Sequence, residues 1–167
     1  MGTLKDSLFS KNNKVTYAVI SIGGVYGVET EKQVAVPFDR QRIIKEPTDT
    51  EKVLALNVLL QVLQQEPEYK RNDADASRFH GVVGAGTIIG LKVFGKNDSL
   101  LGVIEDLIFN NSHDVRYAII RTSGVSGISN KLVAAPYREL TVNKKEEGKI
   151  TLNITDAALE SAPGFQY

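Results

Sequence analysis

Four groups of residues in this chain are of types that could do chemistry. Gly84-Ala85-Gly86-Thr87-Ile88-Ile89-Gly90 has the glycine density of a loop that holds a dinucleotide phosphate on backbone N–H groups. Its last glycine comes one residue late. The run also leads into an apolar stretch that reads as a strand, whereas a phosphate loop follows a strand and opens a helix. A flexible connector is expected there. Gly124-Val125-Ser126-Gly127 is similar to a nucleophile elbow but lacks the spacer between serine and second glycine. Glu105-Asp106 supplies two carboxylates for a metal or for acid–base work, yet neighbours in a strand face opposite sides and are expected to diverge. His80 and His113 lie in polar segments with no second ligand close by in sequence, which predicts solvated side chains.

The totals narrow the function classes further. The 167 residues hold 20 basic and 20 acidic side chains. The balance holds in each half, with 10 basic and 9 acidic residues in 1–72 and 10 and 11 in 73–167. Neither half has the positive excess that phosphate-driven nucleic-acid binding requires. There is no cysteine, so disulfides, thiolate nucleophiles and cysteine-based zinc sites are excluded. No apolar run reaches the roughly 18–20 residues of a membrane span, and the first residues lack the apolar core of a signal peptide. A cytoplasmic, soluble protein with no cofactor is expected.

What must position these residues is a duplicated unit. Residues 2–38 return as 102–137. At an offset of 100, Gly2, Asp6 and Phe9 fall on Gly102, Asp106 and Phe109, and Val15, Tyr17 and Ala18 on Val115, Tyr117 and Ala118. Gly24, Val25 and Gly27 fall on Gly124, Val125 and Gly127. After one extra residue in the first copy, Val34-Ala35-Val36-Pro37-Phe38 meets Val133-Ala134-Ala135-Pro136-Tyr137. A long-period repeat of this kind sets the fold class before any single motif does. Because Tyr26 stands where the other copy has Ser126, that position behaves as a loop tip. An acylating serine there is disfavoured.

Within each copy the pattern is β. Thr3–Phe9 and Val15–Ile22 read as strands around a polar turn, rich in the β-branched and aromatic residues that suit a pleated, half-buried surface. Gln33–Phe38 is a further strand whose Pro37 marks an edge or an end. Ile88–Phe94 is predicted as a strand, and Leu140–Val142 with Ile150–Leu152 as a hairpin. Leu59, Leu60, Val62 and Leu63 share a helical face that Pro67 ends. Its counterpart after Thr155, a candidate N-cap, is less apolar. Residues 71–85 read as a connector between units at 1–70 and 86–167. The first unit lacks a counterpart of the 88–94 strand, and an unfilled strand position leaves unpaired backbone along an edge.

Ile89-Gly90-Leu91-Lys92-Val93, Leu101-Gly102-Val103-Ile104-Glu105-Asp106, Arg116-Tyr117-Ala118-Ile119-Ile120, Ala135-Pro136-Tyr137 and the closing Leu159-x3-Pro163-Gly164-Phe165 together resemble a PRC-barrel domain, named after the cytoplasmic part of the photosynthetic reaction-centre H subunit. Residues 2–69 resemble a second one without its opening strand. The resemblance implies a mainly β chain of two small antiparallel barrels, each followed by a short helix. It also implies a non-catalytic module that docks on other macromolecules.

The expected function is therefore a protein-interaction or scaffold module that forms a homodimer and meets a further, unidentified protein. The alternative is a small-ligand or ribosome- and RNA-associated binding module. A hydrolase would need His113 brought to Ser123 or Ser126 in a deep pocket. The candidate contact surface is Val25, Tyr26 and Val125 at the glycine-loop tips, with Leu59, Leu60 and Leu63 on the apolar helix. Gly24, Gly27, Gly124 and Gly127 are expected to serve the turns. Asp6 and Asp106 are expected to accept backbone hydrogen bonds.

Overall fold

A computed structural model of the chain describes residues 2–23, 31–44, 53–56, 59–70, 82–122, 131–142 and 149–167, excluding the side chains of 40–44, 53–56, 60 and 142. The described chain is mainly β with a few short helices. It divides into two units, 1–84 and 85–167.

In the first unit the elements are β1 (Gly2–Ser10), β2 (Val15–Ile22), β3 (Lys32–Pro37), β4 (Gln41–Ile44), β5 (Val53–Leu56), α1 (Leu60–Gln65) and β6 (Val82–Gly84). An antiparallel sheet runs in the order β3-β2-β1-β6, while β4 and β5 pair separately. The central strand, VTYAVISI, is buried at six of its eight positions, as its run of β-branched residues requires. Ala18, Ile20 and Ile22 pack with Val34, Val36 and Leu63 in one cluster, and Leu8, Val19 and Ala35 with Tyr17, Tyr69 and Val82 in another. Pro37 ends β3 at the sheet edge, where its missing N–H costs no ladder bond.

The second unit holds α2 (Ala85–Ile88), β7 (Lys92–Phe94), β8 (Leu100–Phe109), β9 (Val115–Thr122), β10 (Leu132–Pro136), β11 (Leu140–Val142), β12 (Lys149–Leu152) and α3 (Asp156–Ser161). They form one sheet in the order β10-β9-β8-β7-β12-β11, with β7 parallel to β12 and antiparallel to β8. Thr155 caps α3 by accepting from the Ala158 N–H at 3.3 Å, whereas Leu59 offers α1 no side-chain cap.

The two units correspond in backbone detail. Both long strands slip register one residue before the aspartate, between Leu4 and Asp6 and between Ile104 and Asp106. Both following turns place a residue in the left-handed region, Asn13 and His113, each at φ 64°. Each unit also closes on an aromatic N–H: Tyr69 donates to the Gln33 carbonyl and Phe165 to the Leu132 carbonyl, both at 2.7 Å.

Two expectations need correction. Ile88–Phe94 is not one strand. One helical turn over Ala85–Ile88 buries Ala85 and Ile88, and Gly90 at φ 89° reverses the chain before β7. Only glycine holds that dihedral cheaply, so the glycine is what separates the two elements. The glycine run 84–90 thus does follow a strand and open a helix, contrary to the reason first given against a phosphate loop. That helix is a single turn, too short to carry the dipole such a loop uses. Further, residues 82–84, placed by sequence in the connector, form β6 and belong to the first sheet.

Candidate functional site

The strand slip in β1 builds the best-formed concavity among the described residues. Lys5 is the extra residue at the slip, and Asp6 beyond it is 9% exposed and accepts the Ser7 N–H at 2.8 Å. A β-bulge of this kind breaks the alternation of side chains and re-aims them. Lys5 then reaches Glu31 at 3.5 Å, and the Ser21 hydroxyl donates to the same carboxylate. These partners, the hydroxyl first and the lysine charge second, hold Glu31 below its usual carboxylate range. Across from them the chain after α1 brings Glu68, Tyr69 and Lys70, held by the Tyr69 N–H bond to β3. Together with Gln33 they line an open groove of about 770 Å³.

The groove carries charges of both signs, with Lys5 paired to Glu31, Lys70 to Glu68 at 3.6 Å, and Asp6 as a third carboxylate. Such a surface suits a polar or zwitterionic molecule better than a polyanion, which gains most where positive charge is in excess. Among the described residues no three histidine or acidic side chains gather as a metal would need.

The same place in the second unit is filled from within. Arg121 stands where the first unit has Ser21, and its Nε donates to Glu105 at 2.9 Å while a terminal nitrogen meets the other carboxylate oxygen. The pair lowers the Glu105 pKa, chiefly through that hydrogen bond, and raises that of Arg121. Asp106 accepts the Leu107 N–H at 2.8 Å, as Asp6 does its neighbour's. Tyr167 packs edge-on against Phe165 with its hydroxyl beside Asp106. Loss of water around its hydroxyl, then the Asp106 charge and hydrogen bond, then Glu105 push its pKa up. Asp106 thus meets the phenol, while Glu105 stays with Arg121 and adds only its charge.

The apolar helix divides. Leu63 is 6% exposed and anchors α1 in the core, so it is not a surface residue; Leu159 does the same for α3 at 0%. Leu59 is 73% exposed and Val62 40%. The side chain of Leu60 lies outside the described residues, as do Gly24, Val25, Tyr26, Gly27, Ser123, Gly124, Val125, Ser126, Gly127 and His80. His113 sits at the left-handed position of the β8–β9 turn, where backbone geometry accounts for its place.

One device escaped the sequence reading. Lys32 donates to the Gln64 carbonyl at 2.9 Å, and Lys131 to the Glu160 and Ala162 carbonyls at 2.5 and 2.6 Å. In both units a lysine at the start of a strand thus clasps the C-terminal end of the following helix, where carbonyls lack partners and the dipole favours a cation. The two lysines align once the one-residue gap is allowed for, which was the available signal.

The β7-β8-β9-β10 order with the returning β11–β12 hairpin spans the segment in which the resemblance is concentrated. Residues 80–159 match the PRC-barrel domain. The PRC-barrel match thus covers β6 through most of α3 and leaves residues 1–79 and 160–167 outside it. No curated protein matches the chain. Among solved structures, one from Pseudomonas aeruginosa described as that of a 16S ribosomal RNA processing protein, RimM, is similar. It is 13% identical over 94% of this chain and 99% of that one, with a TM-score of 0.37. At that score the likeness carries no argument about this chain. Among the described residues no helix is long and apolar enough to cross a membrane.

Proposed function

We propose that this chain is a non-catalytic protein-interaction module of two PRC-type barrel units that self-associates through the outer face of α1. The observation that carries this is a contrast between equivalent helices. Around the same buried leucine, α1 presents Leu59 at 73% exposure and Val62 at 40%, where α3 has Thr155 and Ala158. Exposed large apolar side chains grouped on one helix face mark contact surfaces more often than isolated ones do. Burial of such side chains contributes roughly 1.5–3 kcal/mol each.

Solution mass by light scattering tests it. The parent chain is expected as a dimer, and the Leu59→Asp, Val62→Asp double variant as a folded monomer. Both sites are on the surface, so folding should survive. A parent that is monomeric at tens of micromolar sinks the proposal.

The mixed-charge groove favours a second reading, a binding site for a small zwitterionic ligand. Lys5→Ala would then abolish saturable binding in a thermal-shift screen of amino acids and small zwitterions. No stabilisation by any of them removes this reading. Balanced charge speaks against an RNA partner.

A further inference from the structure

Among the described residues, the edge of β1 facing away from β2 is covered only at its C-terminal end, where Leu8, Phe9 and Ser10 pair with Gly84, Val83 and Val82 of β6. Its counterpart β8 is covered only at the other end. There β7 pairs with Leu100–Val103, Gly90 N–H donates to the Ile104 carbonyl at 2.8 Å, and Ile104 N–H donates to the Leu91 carbonyl at 3.0 Å. Exposure follows coverage: Phe9 is 2% exposed against 36% for Phe109, and Leu4 is 48% exposed against 1% for Ile104.

Leu4 and Ile104 hold the same register, opposite Ile20 and Ile120. The N–H and C=O of Leu4 therefore point to the outer edge as those of Ile104 do. Among the described residues no strand lies beside Gly2–Lys5 on that edge. The gap has a second side, because β7 also joins the β11–β12 hairpin to the sheet, whereas β4–β5 stands apart. A bare edge with outward backbone groups and an exposed leucine is what strand addition uses.

We propose that the Gly2–Lys5 edge of β1 is a docking site for an extended segment of a partner protein, laid antiparallel to β1. The second unit shows the required chemistry, Gly90-Leu91-Lys92-Val93: a glycine, an apolar residue, a polar one, then a β-branched residue for the core. Val93 is fully buried opposite Gly102, the counterpart of Gly2. This site shares no residue with the α1 face, and neither proposal rests on the other.

The probe is a labelled peptide with the sequence of residues 85–95, AGTIIGLKVFG, added to the full chain and followed by fluorescence anisotropy. Saturable one-to-one binding is expected, with the Leu4 amide exchanging at least about tenfold more slowly when bound. A peptide carrying Val93→Asp, and a chain carrying Leu4→Lys, should each bind at least about tenfold more weakly. Leu4→Pro removes the outward N–H and should do the same; if it fails to fold, Leu4→Lys alone decides. No binding up to roughly 1 mM, or equal binding by the Leu4→Lys chain, overturns the proposal. So does a dimer that Leu4→Lys dissociates, since a second copy then holds the edge.

Discussion

Single side chains do different work at equivalent places in the two units. Lys131 holds two helix carbonyls from the strand before it, so Lys131→Met should lower the stability of the second unit by about 1 kcal/mol, in line with a charged C-terminal cap. Chemical denaturation checks this, and Lys131→Arg should keep most of the loss from appearing. At the β8–β9 turn His113 has a positive φ that Asn13 shares. His113→Asn is therefore expected to be neutral, while His113→Val should cost about 1–2 kcal/mol because a branched Cβ clashes in that region. A full loss of folding with asparagine would show that the imidazole, not the turn, is what the site needs.

At the scale of elements, the strand slip is the feature with most consequence. Gly102 lies where an added Cβ would stand 2.1 Å from the Arg121 carbonyl oxygen, a backbone atom that cannot step aside. Gly102→Ala should thus force β8 and β9 apart and cost about 2–3 kcal/mol, the upper range for overpacking. Gly2, at 2.6 Å from the Ser21 oxygen, should respond less. Thermal melts of both variants order the two effects. The strands themselves were legible in the sequence, since β2 and β9 are apolar, branched and repeated. The slip was not, because it depends on one unmatched residue, Lys5 or Glu105, that looks like any polar strand position. For the same reason the contact of Asp106 with Tyr167 was invisible, and so was the groove beside Lys5. The break at Ala85–Ile88 was missed because a short apolar run fits a buried helical turn as well as a strand.

For the molecule as a whole, the correspondence of residues 2–38 with 102–137 was plain from the sequence, and the differences between the two units required coordinates. One such difference predicts uneven behaviour in alkali. Tyr137 is buried, which pushes its pKa from 10.0 up to about 12, and Phe38 stands in its place in the first unit. The unfolded chain gives up that proton first, near pH 10. The stabilisation is complete below pH 10 and is lost as the pH rises through about 12. Tyr137→Phe should therefore flatten the decline in stability of the second unit between about pH 10 and 12, read by fluorescence-detected denaturation. An unchanged slope would show that other groups govern alkaline unfolding.

The strand β6 has a bearing on where this protein can be divided. It is contributed from just ahead of the second unit, yet hydrogen-bonds to the first. Inheritance and architecture thus disagree about who owns residues 82–84: the PRC-barrel match claims them for one unit and the sheet for the other. A gene fragment cut at residue 70 would strip β1 of cover at both ends of one edge, while a cut after Gly84 leaves that loan intact. A boundary after Gly84 therefore keeps the first sheet whole, whereas one at the start of the PRC-barrel match takes a strand from it.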